Sequence, residues 1–188
     1  EDASVAASCY RDLAKRSLDP LDEIRFIGDT FRALVHMYDA KEWQGYVSVV
    51  DSALEIADKE NPEHRYSELL RNRAIGNRET GSYEEALNDV NRYLQMDDSG
   101  VRFRGYVTRA AILRRTQEHA KALDDYSEAL WLIHQRSDWL EEHAEEDETV
   151  SIPAETNRIN KFLKGIYEGR RESFSVFGRI KESENASK

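Results

Sequence analysis

The sequence predicts an all-α protein, a short array of antiparallel helix hairpins with one helix before the array and one after it. Three observations carry this. The chain repeats itself: Arg73-Ala74 followed by Tyr83-Glu84-Glu85-Ala86-Leu87-Asn88-Asp89 returns 36 residues later as Arg109-Ala110 followed by His119-Ala120-Lys121-Ala122-Leu123-Asp124-Asp125. Val90 and Tyr93 fall on Tyr126 and Ala129 at the same offset. A recurring unit of this length, two helical patterns around a polar break, cannot bury its apolar face alone, and so marks a stacked solenoid. Only 9 Gly and 3 Pro interrupt 188 residues, and 34% charged residues supply wide solvated helix faces.

The elements follow in order. Residues 3–17 read as a leading helix, with Val5, Cys9 and Leu13 on one stripe. Asp19-Pro20 ends it, because the residue before proline is pushed out of the helical region. A helix from about Leu21 to Asp39 is apolar on more than one side, through Ile24, Phe26, Ile27, Phe31, Leu34, Val35 and Tyr38, and so should be sandwiched. After Ala40-Lys41-Glu42, residues 43–59 form its partner. Asn61-Pro62 opens the next hairpin, 62–97, in which Gly81 ends one helix and Ser82 with Glu85 can form a capping box at the start of the next. The third hairpin spans 101–146. A trailing helix covers 154–177, and a polar frayed tail is expected over 181–188. The first hairpin, 22–59, follows the same register at an offset of 40 residues, with Trp43, Val50 and Leu54 on Tyr83, Val90 and Leu94.

Composition bounds the function. No run of about 18 apolar residues occurs, so no membrane span is expected. A net charge of -10 argues against general nucleic-acid binding, which needs a basic footprint. The charge is uneven: residues 61–118 carry 10 Lys/Arg against 9 Asp/Glu, whereas residues 119–150 carry 2 against 10. One cysteine, Cys9, excludes an intramolecular disulfide and a multi-thiolate metal site, and packing is its expected role. The five histidines form no HExxH pair and no Gly-rich phosphate loop occurs, so neither catalysis nor a metal or other cofactor is expected. The acidic run Glu141 to Glu148 lacks the glycine turn and oxygen spacing of a calcium loop and reads as a solvated helix end.

These residues and their spacing resemble the tetratricopeptide-repeat (TPR) family, over 62–130 and more weakly over 22–59. Ala74, Ala86, Ala110 and Ala122 match the small residues that the family needs where its paired helices cross. The family's frequent Trp is replaced by Leu70 and Tyr106, its closing Pro is absent, and the first hairpin has Leu34 and Tyr46 at the small positions. The resemblance implies a right-handed superhelical array of about three repeats, with a concave groove that binds a peptide segment of a partner protein, as a scaffold or adaptor rather than an enzyme. Groove positions carried over from the family are Phe31, Val35 and Tyr38 in the first hairpin, Arg71, Ile75 and Arg78 in the second, and Arg104, Val107, Arg114 and Arg115 in the third. Arg71, Arg78, Arg104 and Arg114 are expected to form a basic patch that suits an acidic segment or a free C-terminal carboxylate. Exported bacterial proteins of this repeat type are common, which inclines the expectation towards an extracytoplasmic location.

Trp131, Leu132, Trp139 and Leu140 are expected to pack against the trailing helix through Ile159, Phe162, Leu163 and Ile166. A trailing helix placed otherwise would leave the tryptophans as a partner or dimer surface. The alternative function is accordingly a homo-oligomer that associates through the groove or the last helix.

Overall fold

The computed structural model describes residues 20–57, 65–96, 102–142 and 152–186. Among them are seven helices and no strand: α1 (Pro20–Ala40), α2 (Trp43–Ile56), α3 (Tyr66–Thr80), α4 (Tyr83–Gln95), α5 (Arg102–Arg115), α6 (His119–Glu142) and α7 (Ile152–Ala186). The chain divides into two compact units, Glu1–Met96 with α1 to α4 and Asp97–Lys188 with α5 to α7. The leading helix over 3–17 with Cys9, and the acidic run beyond Glu142, lie outside the described residues. None of the described helices is long and apolar enough to cross a membrane.

Three helix pairs, α1–α2, α3–α4 and α5–α6, are each joined by the same turn. Lys41, Gly81 and Gln117 take left-handed backbone angles, with φ of 58°, 89° and 65°. In each turn this residue's N–H donates to the carbonyl three positions back, and the next N–H donates to the carbonyl five back: Glu42 to Met37 at 3.0 Å, Ser82 to Asn77 at 2.8 Å and Glu118 to Leu113 at 2.8 Å. That is the Schellman geometry, which satisfies carbonyls that a helix end leaves open. The capping box expected at Ser82 and Glu85 does not form: Ser82 makes no side-chain cap bond. Its backbone N–H, which Glu85 would have to receive, is already committed to Asn77. Lys41 and Gln117 carry a Cβ in a conformation that glycine adopts freely. Lys41→Gly and Gln117→Gly are therefore each expected to raise stability by about 0.5–1 kcal/mol, and Gly81→Ala to lower it by about 1 kcal/mol. Urea denaturation checks this; a loss of stability at Lys41→Gly or Gln117→Gly would contradict the shared turn.

Helices in the second and third pairs meet closely because Ala74, Ala86, Ala110 and Ala122 are all fully buried. Each pair also carries an ionic clamp one residue before the first alanine. Arg73 of α3 donates through Nε and a terminal nitrogen to the two carboxylate oxygens of Asp89 on α4, both at 2.7 Å. Arg109 of α5 does the same to Asp125 of α6 at 2.8 and 2.7 Å. Hydrogen bonding to Asp89, and to Asp125 for Arg109, outweighs desolvation and holds both guanidinium groups more firmly charged than in water. Arg73 also reaches Asp51 of α2 at 3.0 Å, so one side chain ties three helices of the first unit.

In the first unit, Phe26, Ile27, Leu34, Met37, Tyr46, Val49, Val50, Ala53 and Leu69 form a continuous core. Leu34 and Tyr46 are buried there, so the larger pair of the first hairpin fills the space that alanines leave narrow in the others. Gly76 of α3 lets α2 approach: a Cβ on it would stand 2.6 Å from Val47 Cγ2 and 3.0 Å from Tyr46 Cδ1.

In the second unit, α7 packs on both α5 and α6. Ile159 and Ile166 are buried as expected, and Phe162 meets Phe103 of α5 edge-on at 5.1 Å. Gly169 lies directly beneath the Tyr126 ring of α6. Trp131, by contrast, is 57% exposed. The seam of α6 runs along Tyr126, Ala129 and Ile133, and a residue two positions after Ala129 is carried roughly 200° round the helix from it. The side chains of Trp139 and Leu140 lie outside those described. Helix α7 continues through Lys181 to Ala186.

Candidate functional site

Three of the sequence-predicted residues of the first unit, Tyr38, Arg71 and Arg78, act on one buried phenol. Tyr46, on α2, is nearly inaccessible. Its hydroxyl donates to Asn72 Oδ1 at 2.5 Å, and Asn72 Nδ2 in turn donates to the Glu68 carbonyl at 2.7 Å, which fixes the amide's orientation along α3. Burial pushes the Tyr46 phenol far above its ordinary range, and the neighbouring charges of Arg71, Tyr38, Arg78 and Glu68 act on it more weakly. Those four residues come from α1 and α3, so two helices present side chains to the same place.

On the α1 side the surface is apolar. Val35 is 59% exposed and Tyr38 46%, while Phe31 is half-buried against the core. Tyr38 stands edge-on to Trp43 at 5.2 Å, and Trp43 edge-on to Tyr46 at 5.8 Å. This run of rings leads from the solvent to the core. Edge-to-face pairs of this kind hold aromatic side chains in defined orientations.

On the α3 side the charged side chains are largely buried and internally balanced. Arg71 Nε donates to Glu68 Oε2 at 3.0 Å, and the other Glu68 oxygen accepts from the Tyr93 hydroxyl at 3.3 Å. Burial opposes the Arg71 charge, but Glu68 and Tyr93 more than restore it. Arg78 Nε donates to Glu79 at 2.8 Å. Ile75 lies half-buried between the two arginines in sequence. Each guanidinium thus meets one carboxylate of its own helix, which sequence spacing alone did not disclose.

The remaining predicted residues belong to the second unit. The Arg104 guanidinium lies over Phe103 and Phe162, 5.8 and 6.0 Å from the ring centres. Arg114 donates to the Tyr126 hydroxyl at 3.3 Å and pairs with Glu172 of α7. Val107 is half-buried and Arg115 exposed. The trailing helix therefore flanks the arginine face of α5 and engages two of its four predicted groove residues. Helix α5 itself carries five arginines and no acidic residue.

The first unit also holds a recess of about 310 Å³ that no sequence motif marks. Val47 and Asp51 of α2, Arg73 and Asn77 of α3, and Glu85 and Asn88 of α4 line it. The nearest sequence signal is the Arg73–Asp89 spacing, sixteen residues across a hairpin and repeated at Arg109–Asp125. Among the described residues no three His, Cys, Asp or Glu side chains converge as metal ligands. No family model, curated protein or solved structure matches the chain.

Proposed function

We propose that the chain is a helical-repeat scaffold or adaptor, its hairpins stacked as a right-handed superhelical array of about three tetratricopeptide-like repeats, and that it binds a peptide segment of a partner protein across the face made by α1 and α3. One observation carries the reading: Val35 and Tyr38 stand exposed on α1, and from Tyr38 a path of rings runs through Trp43 to the buried Tyr46, on which the charges of Arg71 and Arg78 act. An amphipathic shelf backed by rigid rings suits an apolar or aromatic anchor of a peptide. Arg71 and Arg78 are largely buried, 15% and 16% exposed, and a guanidinium has five N–H donors, so a ligand carboxylate would meet only their open edges, beside Glu68 and Glu79. An acidic residue or a free C-terminus beside the anchor is therefore the favoured ligand chemistry.

Capture of partners by immobilised protein, wild type against Val35→Glu/Tyr38→Glu, tests the reading. Both positions are exposed, so the fold should survive, as circular dichroism would verify. The expected result is loss of a specific partner, with binding weakened about tenfold or more. Equal capture by both proteins would overturn it. Self-association is the second reading, favoured by the exposure of Trp131.

A further inference from the structure

The second unit carries two exposed stripes of opposite charge, each built around aromatic side chains. On α7, Tyr167 and Phe174 are 59% and 54% exposed. Seven residues apart, they lie on one side of the helix, roughly 100° round from the buried Ile166–Ser173 line. Lys164 and Arg171 continue the same flank and are exposed. Arg170 lies beside it with its guanidinium 5.9 Å from the Phe174 ring centre. Glu168, exposed, follows Tyr167 and lies within one turn of both Lys164 and Arg171, so the flank holds three cations against one carboxylate; Glu172 pairs instead with Arg114 of α5.

On α6 the outward line is Asp124, Trp131 and Asp138, again at seven-residue steps, with Glu128 one turn from Trp131. All four are exposed, and Trp131 is the largest exposed ring among the described residues. An exposed indole framed by carboxylates matches an exposed Tyr/Phe pair whose flank stays net basic, with Lys164, Arg170 and Arg171 against Glu168, in both charge and heptad spacing.

We propose that these two stripes are the two halves of one interface, and that a second copy of this chain covers them: α7 of one copy docks along α6 of the other. Trp131 packs against Tyr167 and Phe174, while Asp124, Glu128 and Asp138 face Lys164, Arg170 and Arg171. This surface belongs to the second unit alone and is independent of the α1–α3 face, so either can fail without the other.

A charge-exchange experiment tests it. One variant, Lys164→Glu/Arg171→Glu, makes both stripes acidic; the other, Asp124→Lys/Asp138→Lys, makes both basic. All four positions are exposed, and circular dichroism checks that each variant is folded. Sedimentation equilibrium should show the wild type associating with rising concentration, and weakening about fivefold or more between low and high salt. Each variant alone should stay monomeric, and an equimolar mixture should associate again, because every α6–α7 contact between unlike variants is complementary. A monomeric wild type at all concentrations would overturn the proposal. So would variants that associate as the wild type does, or a mixture that stays monomeric.

Discussion

Arg73→Met is expected to destabilise the protein by about 3–5 kcal/mol, the largest single loss expected of any charged residue described. The reason lies in its partner. Asp89 is only 2% exposed and receives both of its strong bonds from Arg73. Removing the guanidinium leaves a buried carboxylate without its counter-charge, and Asp51 loses its link to α3 as well. The methionine keeps most of the arginine's apolar stem, so packing changes little. A second substitution sharpens the test. Arg73→Met/Asp89→Leu removes both charges and should recover most of the loss, because an apolar pair of similar shape can replace a buried ion pair at little net change. The four proteins of this cycle, followed by urea denaturation, give the coupling directly. A single-variant loss below about 1 kcal/mol would show that the clamp is a surface pair in effect. The same reasoning applies to Arg109 and Asp125, whose geometry is the same.

Ala122→Leu is expected to lower stability by about 3 kcal/mol. Ala122 of α6 is fully buried, as is Ala110 of α5, the helix that α6 packs against. Three added carbons must push the helices apart or force strained rotamers. Ala120, two residues earlier on the same helix, is exposed. Ala120→Leu should therefore change stability by less than about 0.5 kcal/mol. Ala86→Leu tests the same point in the second pair. Equal effects at Ala120 and Ala122 would mean that the close crossing does not hold the pair together.

Much of the helical framework was legible because it repeats. The recurrence of Ala74 and Ala86 as Ala110 and Ala122 points to where helices cross, and the breaks at Lys41, Gly81 and Gln117 follow from polar residues between apolar stripes. What the sequence hid was the turn itself. Lysine and glutamine at Lys41 and Gln117 give no left-handed signal, because only the tertiary docking of each pair imposes that backbone. The clamps were hidden for a similar reason: Arg73 and Asp89 are sixteen residues apart and meet only across a hairpin. Trp131 was misplaced because large apolar residues are assigned to a core by default, whereas the helix phase set by Tyr126, Ala129 and Ile133 turns it outward. In the candidate site the sequence indicated the helix positions of the arginines but not their partners. Arg71 and Arg78 stand on α3 as expected, yet Glu68 and Glu79 balance them, and the apolar Val35–Tyr38 shelf gives the face its character.

The first unit's face offers an internal probe. Trp43 sits between Tyr38 and Tyr46, and the chain's two other tryptophans, Trp131 and Trp139, lie in the second unit. In Trp131→Phe/Trp139→Phe, indole fluorescence reports on Trp43 alone. Titration with the captured partner's peptide should give a saturable change in that signal, lost when Tyr38 is replaced by glutamate. A peptide that binds with no change at Trp43, or equally well without Tyr38, would contradict the account.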